Sequence, residues 1–365
     1  MYRKIRIFIL VPNLEGGGSE RVVSQIVNNI DRSKFTPTLV LAQKKGVYLK
    51  EIAKDVCIIN LNKTRVRYIG LALIKLFRKE KPDIVLSTLG HLNLLIALLR
   101  PLLPSKTVFI ARESNTISER NKEENFPFLF NLLFRTVYKR YDRIICQCNF
   151  MKNDLIKNFG IPSEKLFVIN NPVNIDEILN KSLVKKEILP PEVNNIVFIG
   201  RLSKQKRVDL LLKAFSIIKN TNSHLYIIGK GELREQLENI AIEEGIKDKI
   251  TFLGERDNPF SLLAQANCLA LTSAYEGFPN VVLEAHALGI PVVAFQSPGG
   301  IAEIIDENEN GFLIPFGDIQ SFSNSLIKVA THPFQPKVIQ NYTRERYALP
   351  EIIAQYEGVL LNTIK

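Results

Sequence analysis

The chain has few cysteines and no segment suited to secretion or to spanning a membrane. Four cysteines in 365 residues are too few for a disulfide framework. The most apolar long stretch, residues 92–103, is shorter than the roughly 20 residues that cross a bilayer, and it contains Arg100 and Pro101. The first apolar run, residues 5–11, leads directly into a glycine-rich loop, unlike a secretory signal. We therefore expect a cytoplasmic globular protein.

The motifs of several nucleotide- and metal-dependent enzymes are also absent. The chain has no Asp-x-Asp triplet and no His/Cys cluster with metal-ligand spacing, so the sequence predicts no metal site and no cofactor. It has no P-loop. The triple glycine Gly16-Gly17-Gly18 does not complete the dinucleotide fingerprint, because Arg21 stands where the last glycine is needed. Dehydrogenase and P-loop nucleotidase functions are therefore disfavoured.

The whole chain has a net charge of +11, and its basic residues are concentrated in the first half. Residues 1–171 carry 29 Lys and Arg against 14 Asp and Glu, a net +15. Residues 172–365 carry 19 against 23, a net −4. This asymmetry indicates that the first half faces an anionic partner, either nucleic acid or an anionic membrane leaflet.

Short apolar strands alternate with helical patterns along both halves. Such strands, separated by helices, are typical of parallel sheets covered on both faces. We therefore predict an α/β protein with two tandem Rossmann-like, doubly wound domains, residues 1–171 and 172–344, joined near the polar segment 170–174. The predicted strands cover residues 4–11, 36–42, 56–61, 83–89, 106–111, 143–148, 166–170, 195–200, 224–229, 249–254, 268–273 and 291–295.

Three loops follow predicted strands and carry most of the chemistry. Residues 12–21 follow the first strand of the first domain, whereas residues 200–207 and 276–284 follow the first and fourth strands of the second. Ligands of such sheets bind at the carboxyl ends of the strands, and a cleft between two domains is a common active site. We therefore expect the three loops to converge on one inter-domain cleft.

The stretch EGFPNVVLE, residues 276–284, places two carboxylates on either side of a helix start. Gly277 and Pro279 disfavour a helix through Glu276, and Pro279 fits the first helical position. Glu284 then lies about one turn inside the following helix. The residues alone leave four interpretations open: an acid/base pair, a metal site, a sugar-nucleotide clamp, or a surface helix with two solvated acids.

The same helix start and the other two loops supply groups that bind anions. The amides of Asn280 and Val281 are expected to lack intrahelical partners, and such helix starts favour phosphate. Arg201 and Lys206 stand at a strand end and together can neutralise a diphosphate. Ser19, a predicted N-cap, follows three glycines that permit close approach of a ligand. Taken singly, these loops are also compatible with a solvated basic turn and a tight glycine turn.

Together and in this order, the loops resemble those of the retaining GT-B glycosyltransferases of family 4. The resemblance covers nearly the whole chain. It includes GGGSER in the first loop, GRLSKQK in the second domain, the two glutamates with seven residues between them, and PEIIAQYEGVLL near the end. It implies a C-terminal helix, within residues 345–365, that packs back on the first domain.

The resemblance also implies roles at the donor site. Arg201 and Lys206 would hold the nucleotide diphosphate, and Glu276 would contact the donor sugar. Glu284 would accept hydrogen bonds from the ribose hydroxyls. Gly16, Gly17 and Gly18 would close on the phosphates and the acceptor. The amides of Asn280 and Val281 would bind the distal phosphate. The remaining expected donor-binding residues are Gly277, Phe278 and Pro279.

One loop departs from the family pattern. Many relatives carry a histidine after the fifth strand of the first domain, where this chain has Arg112, Glu113 and Asn115. Glu113 joins Glu276, Arg201 and Lys206 as a catalytic candidate, while acceptor positioning, a polar contact to the donor sugar and loop structure stay open for it. Arg112, Glu113, Asn115 and His91, which follows the fourth strand, form the expected acceptor side; for His91 a helix-cap role is the alternative.

Two predicted helices in the basic half, residues 68–81 and 126–143, combine aromatic and aliphatic residues with Lys and Arg. Such helices can lie in a membrane interface, or pack as ordinary amphipathic helices with a solvated basic face. The charge favours contact with the inner face of the cell membrane, where a polyprenyl-diphosphate-linked acceptor would fit. No recognised nucleic-acid-binding module is present, so no nucleic-acid partner is expected.

The sequence-based hypothesis is therefore a retaining, metal-independent glycosyltransferase. It would move a sugar from a nucleotide-diphosphate donor, with UDP favoured, to a glycan or lipid-linked acceptor in surface polysaccharide synthesis. Two alternatives remain: a GT-B nucleotide-sugar epimerase, which turns over without an acceptor, and a non-enzymatic membrane- or nucleic-acid-binding module.

Overall fold

The computed structural model describes residues 3–184 and 187–364 and divides the chain into two compact units. The first comprises Met1–Pro172 with Leu349–Lys365, and the second comprises Val173–Ala348. The expected junctions after residues 171 and 344 lie slightly before the observed ones. Each unit is built on a parallel sheet, so the predicted α/β class with two doubly wound domains is confirmed.

Within the described residues, the first unit has a seven-stranded parallel sheet. Its strands are β1 (Ile5–Val11), β2 (Phe35–Leu41), β3 (Cys57–Asn60), β4 (Ile84–Thr88), β5 (Val108–Arg112), β6 (Arg143–Cys146) and β7 (Leu166–Val168). Their order is β3-β2-β1-β4-β5-β6-β7, which reverses between β1 and β4. The helices are α1 (Gly18–Asn29), α2 (Gly70–Glu80), α3 (Gly90–Leu99), α4 (Ile117–Asn121), α5 (Pro127–Val137), α6 (Asn149–Phe159) and the last helix of the chain, α15 (Leu349–Asn362).

Helix α15 is part of the core of the first unit. Its apolar face shares one buried cluster with α1 and β1, and each such aliphatic side chain contributes about 1.5–3 kcal/mol when fully buried. Glu357 adds polar contacts, accepting from the Asp31 amide at 2.8 Å and from Lys34 Nζ at 3.1 Å. The expected return of the C-terminal helix is therefore confirmed. The buried residues of α15 are Leu349, Ile352, Ile353, Tyr356, Glu357 and Leu360.

The second unit has a six-stranded parallel sheet within the described residues. Its strands are β8 (Asn194–Ile199), β9 (Ser223–Ile228), β10 (Ile250–Gly254), β11 (Cys268–Leu271), β12 (Val292–Gln296) and β13 (Gly311–Pro315). The order is β10-β9-β8-β11-β12-β13, with the reversal between β8 and β11. The helices are α7 (Ile175–Ser182), α8 (Val208–Ile217), α9 (Arg234–Glu243), α10 (Phe260–Leu263), α11 (Asn280–Ala287), α12 (Ile301–Ile304), α13 (Ile319–Lys328) and α14 (Pro336–Tyr347).

Strand β13 is the element that the sequence pattern does not predict. It is an edge strand whose five residues all pair with β12, from Val292 opposite Gly311 to Gln296 opposite Pro315. A short apolar run after an Asn-Gly turn is typical of a loop as well as of a strand. The neighbouring strand, which supplies the hydrogen-bonding partner, decides in favour of the strand.

Helix α1 begins earlier than the sequence predicts. Its N-cap is Gly17, so the prediction of Ser19 as N-cap is wrong. Ser19 lies inside the first turn, where its hydroxyl accepts a hydrogen bond from Arg112. The Glu20 carboxylate folds back over the helix start, because a Cβ added at Gly17 would lie 2.3 Å from Glu20 Oε2. An acid at this third helical position commonly stabilises a helix start.

Two other helix boundaries also differ from the prediction. Helix α11 begins at Asn280, with Pro279 as its N-cap rather than its first residue. The predicted helix over residues 126–143 ends at Val137 and is followed by a short 3-10 turn, Tyr138–Arg140. Tyr138, the first residue of this turn, is fully buried.

Candidate active site

Two loops emerge side by side at the point where the strand order of the second sheet reverses. Residues 200–207 follow β8 and residues 272–279 follow β11, and these strands pair directly. The loops are joined by hydrogen bonds from the Ala274 amide to Gln205 O (2.7 Å), from Gln205 Nε2 to Tyr275 O (2.9 Å) and from Thr272 Oγ1 to Lys206 O (3.1 Å). The reversal point of a doubly wound sheet is where ligands bind.

The joined loops bring one acidic and one basic residue of the predicted site into contact. Lys206 Nζ lies 2.5 Å from Glu276 Oε1, although 70 residues separate them in the sequence. Their side chains are 18% and 9% exposed, so solvent screens the pair weakly. Arg201 is exposed, and its guanidinium forms no ion pair with residues 3–184 or 187–364. The loop after β8 thus offers an exposed guanidinium, Arg201, and an ammonium, Lys206, whose charge the Glu276 carboxylate balances.

A third loop, which contains Pro298, Gly299 and Gly300, contacts the backbone of Glu276 and Gly277. The sequence analysis did not predict this loop as part of the site. The Glu276 amide donates to Pro298 O at 2.9 Å, and the Gly300 amide donates to Gly277 O at 2.8 Å. Gly299 has φ +125°, and a Cβ there would lie 2.0 Å from the Glu276 carbonyl oxygen, so no other residue fits. The signal in the sequence was the Pro-Gly-Gly run that begins three residues after the end of a predicted strand.

Helix α11 carries the second acid of the predicted site. Glu284 is 9% exposed and lies just over one turn from the helix start at Asn280, as predicted. The N-cap residue Pro279 makes no side-chain hydrogen bond to this helix start, and amides at helix starts can bind anions. The Phe278 ring is buried against Tyr347, with ring centroids 5.5 Å apart, so what Phe278 can offer a ligand is its backbone.

In the first unit, the glycine loop and His91 follow the two strands between which the order reverses, β1 and β4. His91 is half-exposed in the first turn of α3, with Nε2 at 3.0 Å from Glu124 Oε1. Burial and the nearby charge of Arg120 lower the pKa of His91, against the opposing influence of Glu124. Arg120 also contacts Glu124, at 3.0 Å. The acceptor role of His91 stays a prediction.

The side chains of Arg112 and Glu113 lie on opposite faces of the sheet, because consecutive side chains at a strand end alternate between the two faces. Glu113 is 2% exposed and accepts a hydrogen bond from Asn93 Nδ2 at 2.7 Å. Burial raises the pKa of Glu113 to about 7, against the lowering influence of Asn93 and of the Arg120 and Arg112 charges. Asn93 was missed, although it is a polar residue within the apolar run LNLLIALL.

Arg112 is fully buried, unlike an arginine that faces solvent or substrate. Its guanidinium donates hydrogen bonds to Tyr356 Oη (2.9 Å), Ser19 Oγ (3.1 Å), Thr88 Oγ1 (3.3 Å) and Asn171 Oδ1 (2.6 Å). Asn115 is half-buried and accepts a hydrogen bond from the Thr116 amide at 3.0 Å. The acceptor roles of Arg112 and Asn115, like the catalytic role of Glu113, stay predictions.

Comparison with known proteins identifies the family. The model described as Glycosyltransferase Family 4 matches residues 16–177, and the model described as Glycosyl transferases group 1 matches residues 180–346. A protein of Escherichia coli, UDP-Gal:alpha-D-GlcNAc-diphosphoundecaprenol alpha-1,3-galactosyltransferase, is 30% identical over 269 residues, which are 71% of this chain and 69% of the relative. The chain belongs to glycosyltransferase family 4. The family that the sequence resemblance predicted is confirmed.

Two further comparisons support this assignment. A Campylobacter jejuni family member, N-acetylgalactosamine-N,N'-diacetylbacillosaminyl-diphospho-undecaprenol 4-alpha-N-acetylgalactosaminyltransferase, is 28% identical over 353 residues, 94% of each chain. Among solved structures, Anabaena HepE in complex with UDP matches with a TM-score of 0.82 at 18% identity, over 99% of this chain and 100% of that one. This structural likeness shows a shared GT-B fold.

Proposed function

We propose that this family 4 glycosyltransferase transfers a sugar from a UDP-linked donor to a polyprenyl-diphosphate-linked or glycan acceptor, with retention of configuration and without a metal. The observation that carries the proposal is the Lys206–Glu276 contact, with Arg201 at the same strand end. A departing diphosphate needs cationic partners, and a sugar needs hydrogen-bond acceptors. The relatives from Escherichia coli and Campylobacter jejuni, named for diphospho-undecaprenol acceptors, support the acceptor class.

The proposed reaction proceeds by attack on the same face of the sugar from which the diphosphate leaves. The bond from the anomeric carbon to the diphosphate oxygen breaks, and a bond to the acceptor hydroxyl oxygen forms. The acceptor proton passes to the departing phosphate. Arg201, Lys206 and the start of α11 offset the charge of the diphosphate, while Glu276 contacts the sugar and Glu284 the ribose.

The function is tested with a panel of nucleotide sugars and a membrane extract as the source of acceptors. We expect UDP release that depends on the extract, with a product whose anomeric configuration, read by NMR, equals that of the donor. An inverted product would contradict retention. Interconversion of the donor sugar without an acceptor would indicate an epimerase instead.

Substitutions of Glu276 and Glu284 should change different kinetic constants. Glu284→Ala is expected to raise the donor KM, because the ribose lies away from the reacting carbon. Glu276→Ala is expected mainly to lower kcat, because it removes a contact to the reacting sugar and the partner of Lys206. Each change should amount to about one to two decades, the effect of losing a hydrogen bond to a charged group. Parent-like steady-state kinetics in both variants would refute these roles.

A membrane-facing surface completes the proposal. Helix α5 and its start present large apolar side chains to solvent: Phe128 is 82% exposed and Phe126 68%. Leu129 and Leu132 are also exposed. No helix within residues 3–184 and 187–364 is long and apolar enough to cross a bilayer. We propose that α5 inserts this face into the membrane interface, with basic residues nearby contacting anionic lipid headgroups.

Vesicle co-sedimentation checks this surface. Binding should require anionic lipid and fall steeply as salt rises, because attraction to the surface is screened. Replacing Arg135, Lys139 and Arg140 by Gln should weaken binding roughly 100-fold, at about 1 kcal/mol for each basic residue near the surface. Phe128→Ser should weaken it without changing the net charge.

The matched control removes three exposed lysines of the second unit instead, by substituting Gln at Lys213, Lys247 and Lys337. This variant loses the same charge and should bind vesicles like the parent. Equal weakening by both triple variants would indicate attraction by net charge alone. Equal binding to neutral and anionic vesicles would contradict the electrostatic part of the proposal.

A further inference from the structure

Arg112 is a fully buried cation, and its side-chain hydrogen bonds to the described residues all go to uncharged partners. Its four acceptors are two hydroxyl groups of Ser and Thr, the Tyr356 phenol and the Asn171 amide. Glu113, its neighbour in the chain, accepts instead from Asn93. A buried charge that is not hydrogen-bonded to an opposite charge is costly, and an apolar side chain of similar volume often serves stability equally well. The arginine therefore calls for an explanation other than fold stability.

The four acceptors belong to four separate parts of the first unit. Thr88 ends β4, Asn171 follows β7, and Tyr356 lies in α15. The fourth, Ser19, lies in the first turn of α1, directly after Gly16–Gly18. Arg112 thus connects the rigid sheet and the C-terminal helix to a loop that is expected to meet substrate.

The start of α1 is held by Glu20 from within the helix and by Arg112, through Ser19, from outside it. The helix begins on two glycines, which restrict the backbone least, and its N-cap Gly17 has no side chain with which to cap the first turn. A guanidinium is a planar fork that holds several acceptors at fixed angles, whereas a lysine ammonium is a single point charge. One arginine can therefore set the position of Ser19 relative to three fixed groups.

We infer that Arg112 is a positioning residue for the glycine loop: through Ser19 it fixes the first turn of α1 and the backbone amides that close on the donor phosphates. This inference rests on the proposed function. It also differs from the acceptor contact that the sequence suggested for Arg112, because the side chain acts through Ser19 and not on the substrate.

The kinetic test is a double-mutant cycle of Arg112→Lys and Ser19→Ala. Each single variant should lower kcat/KM for the donor about tenfold, the scale of losing one hydrogen bond to a charged group. The double variant should lose no more than the worse single variant, because both changes cut the same connection. Additive losses would mean that Ser19 acts on the donor by itself, and would overturn the inference.

Tyr356→Phe is the matched control, because it removes the acceptor of Arg112 Nε, whereas Ser19 accepts from Nη1 of the same guanidinium. It should lower Tm while leaving the donor KM unchanged. A purely structural role for Arg112 would instead make Tyr356→Phe and Ser19→Ala alike in both Tm and KM. Such a result would also overturn the inference.

Hydrogen–deuterium exchange gives a readout that does not depend on turnover. The peptide spanning residues 14–24 should exchange faster in Ser19→Ala and Arg112→Lys than in the parent, and at the parent rate in Tyr356→Phe. Unchanged exchange in the first two variants overturns the positioning role whatever the activity. Faster exchange in a protein that releases no nucleoside diphosphate from any donor would refute the proposed function and leave the positioning role standing.

Discussion

Arg201→Ala and Lys206→Ala are each expected to lower kcat by about two to three decades, the scale of removing one preorganised charge-stabilising donor. Arg201 is exposed and unpaired with any acid in the described ranges, so its charge is available to a diphosphate. Lys206 is held at 2.5 Å from Glu276, at the point where the sugar and the diphosphate are expected to meet. The measurement is UDP release at saturating donor and acceptor.

Lys204→Ala is the matched control for this prediction. Lys204 lies in the same 3-10 turn as Lys206 but is exposed, so its removal should leave kcat near the parent value. Treatment with EDTA should change the rate little if side-chain cations and helix amides stabilise the leaving group. Activity that is lost on chelation and restored only by Mg²⁺ or Mn²⁺ would contradict this mechanism.

Glu113→Gln is expected to stabilise the protein increasingly as pH rises. Burial raises the pKa of Glu113 from 4.5 to about 7. Below pH 4.5 the carboxyl is protonated in both states. Between the two values the unfolded chain loses this proton and the folded chain keeps it, so the parent loses stability as pH rises. Above pH 7 the full cost of the buried charge is present, about 3 kcal/mol for a shift of this size.

Denaturant unfolding at pH 5 and pH 8 measures this effect. The free energy of unfolding of Glu113→Gln minus that of the parent should increase by about 2–3 kcal/mol between the two pH values. Glu123→Gln, at an exposed position on the following segment, is the control and should differ from the parent by the same amount at both. A constant difference for Glu113→Gln would contradict the raised pKa.

Most of the fold was predictable because apolar periodicity reports burial directly. All twelve predicted strands correspond to strands of the described structure, and the C-terminal helix packs where the family resemblance implied. The failures are local. Strand β13 is short and depends on β12 for its hydrogen bonds, and the start of α1 depends on Arg112 and Glu20 rather than on Ser19 alone.

The loop that contains Glu276 and the start of α11 were predictable from local backbone preferences rather than from apolar periodicity. Gly277, Pro279 and the helix that follows identify a loop and a helix start from backbone preferences alone, and the structure places Glu276 and Glu284 accordingly. The Pro-Gly-Gly loop behind Glu276 was missed, because its role depends on Gly299 lying against a backbone 23 residues away. The Pro-Gly-Gly run indicates a turn at this position, but neighbouring residues in the sequence do not indicate which distant backbone the turn contacts.

The sequence by itself determined the fold class, the strand-end positions of the three loops and the basic character of the first half, because these depend on composition, periodicity and local backbone preference. Only the tertiary structure decided which charges meet. It paired Lys206 with Glu276 across 70 residues, buried Glu113 against Asn93, and enclosed Arg112 among three elements and the segment after β7. Burial and the proximity of distant residues set the electrostatics of a side chain, and neither is encoded in the residues next to it along the chain.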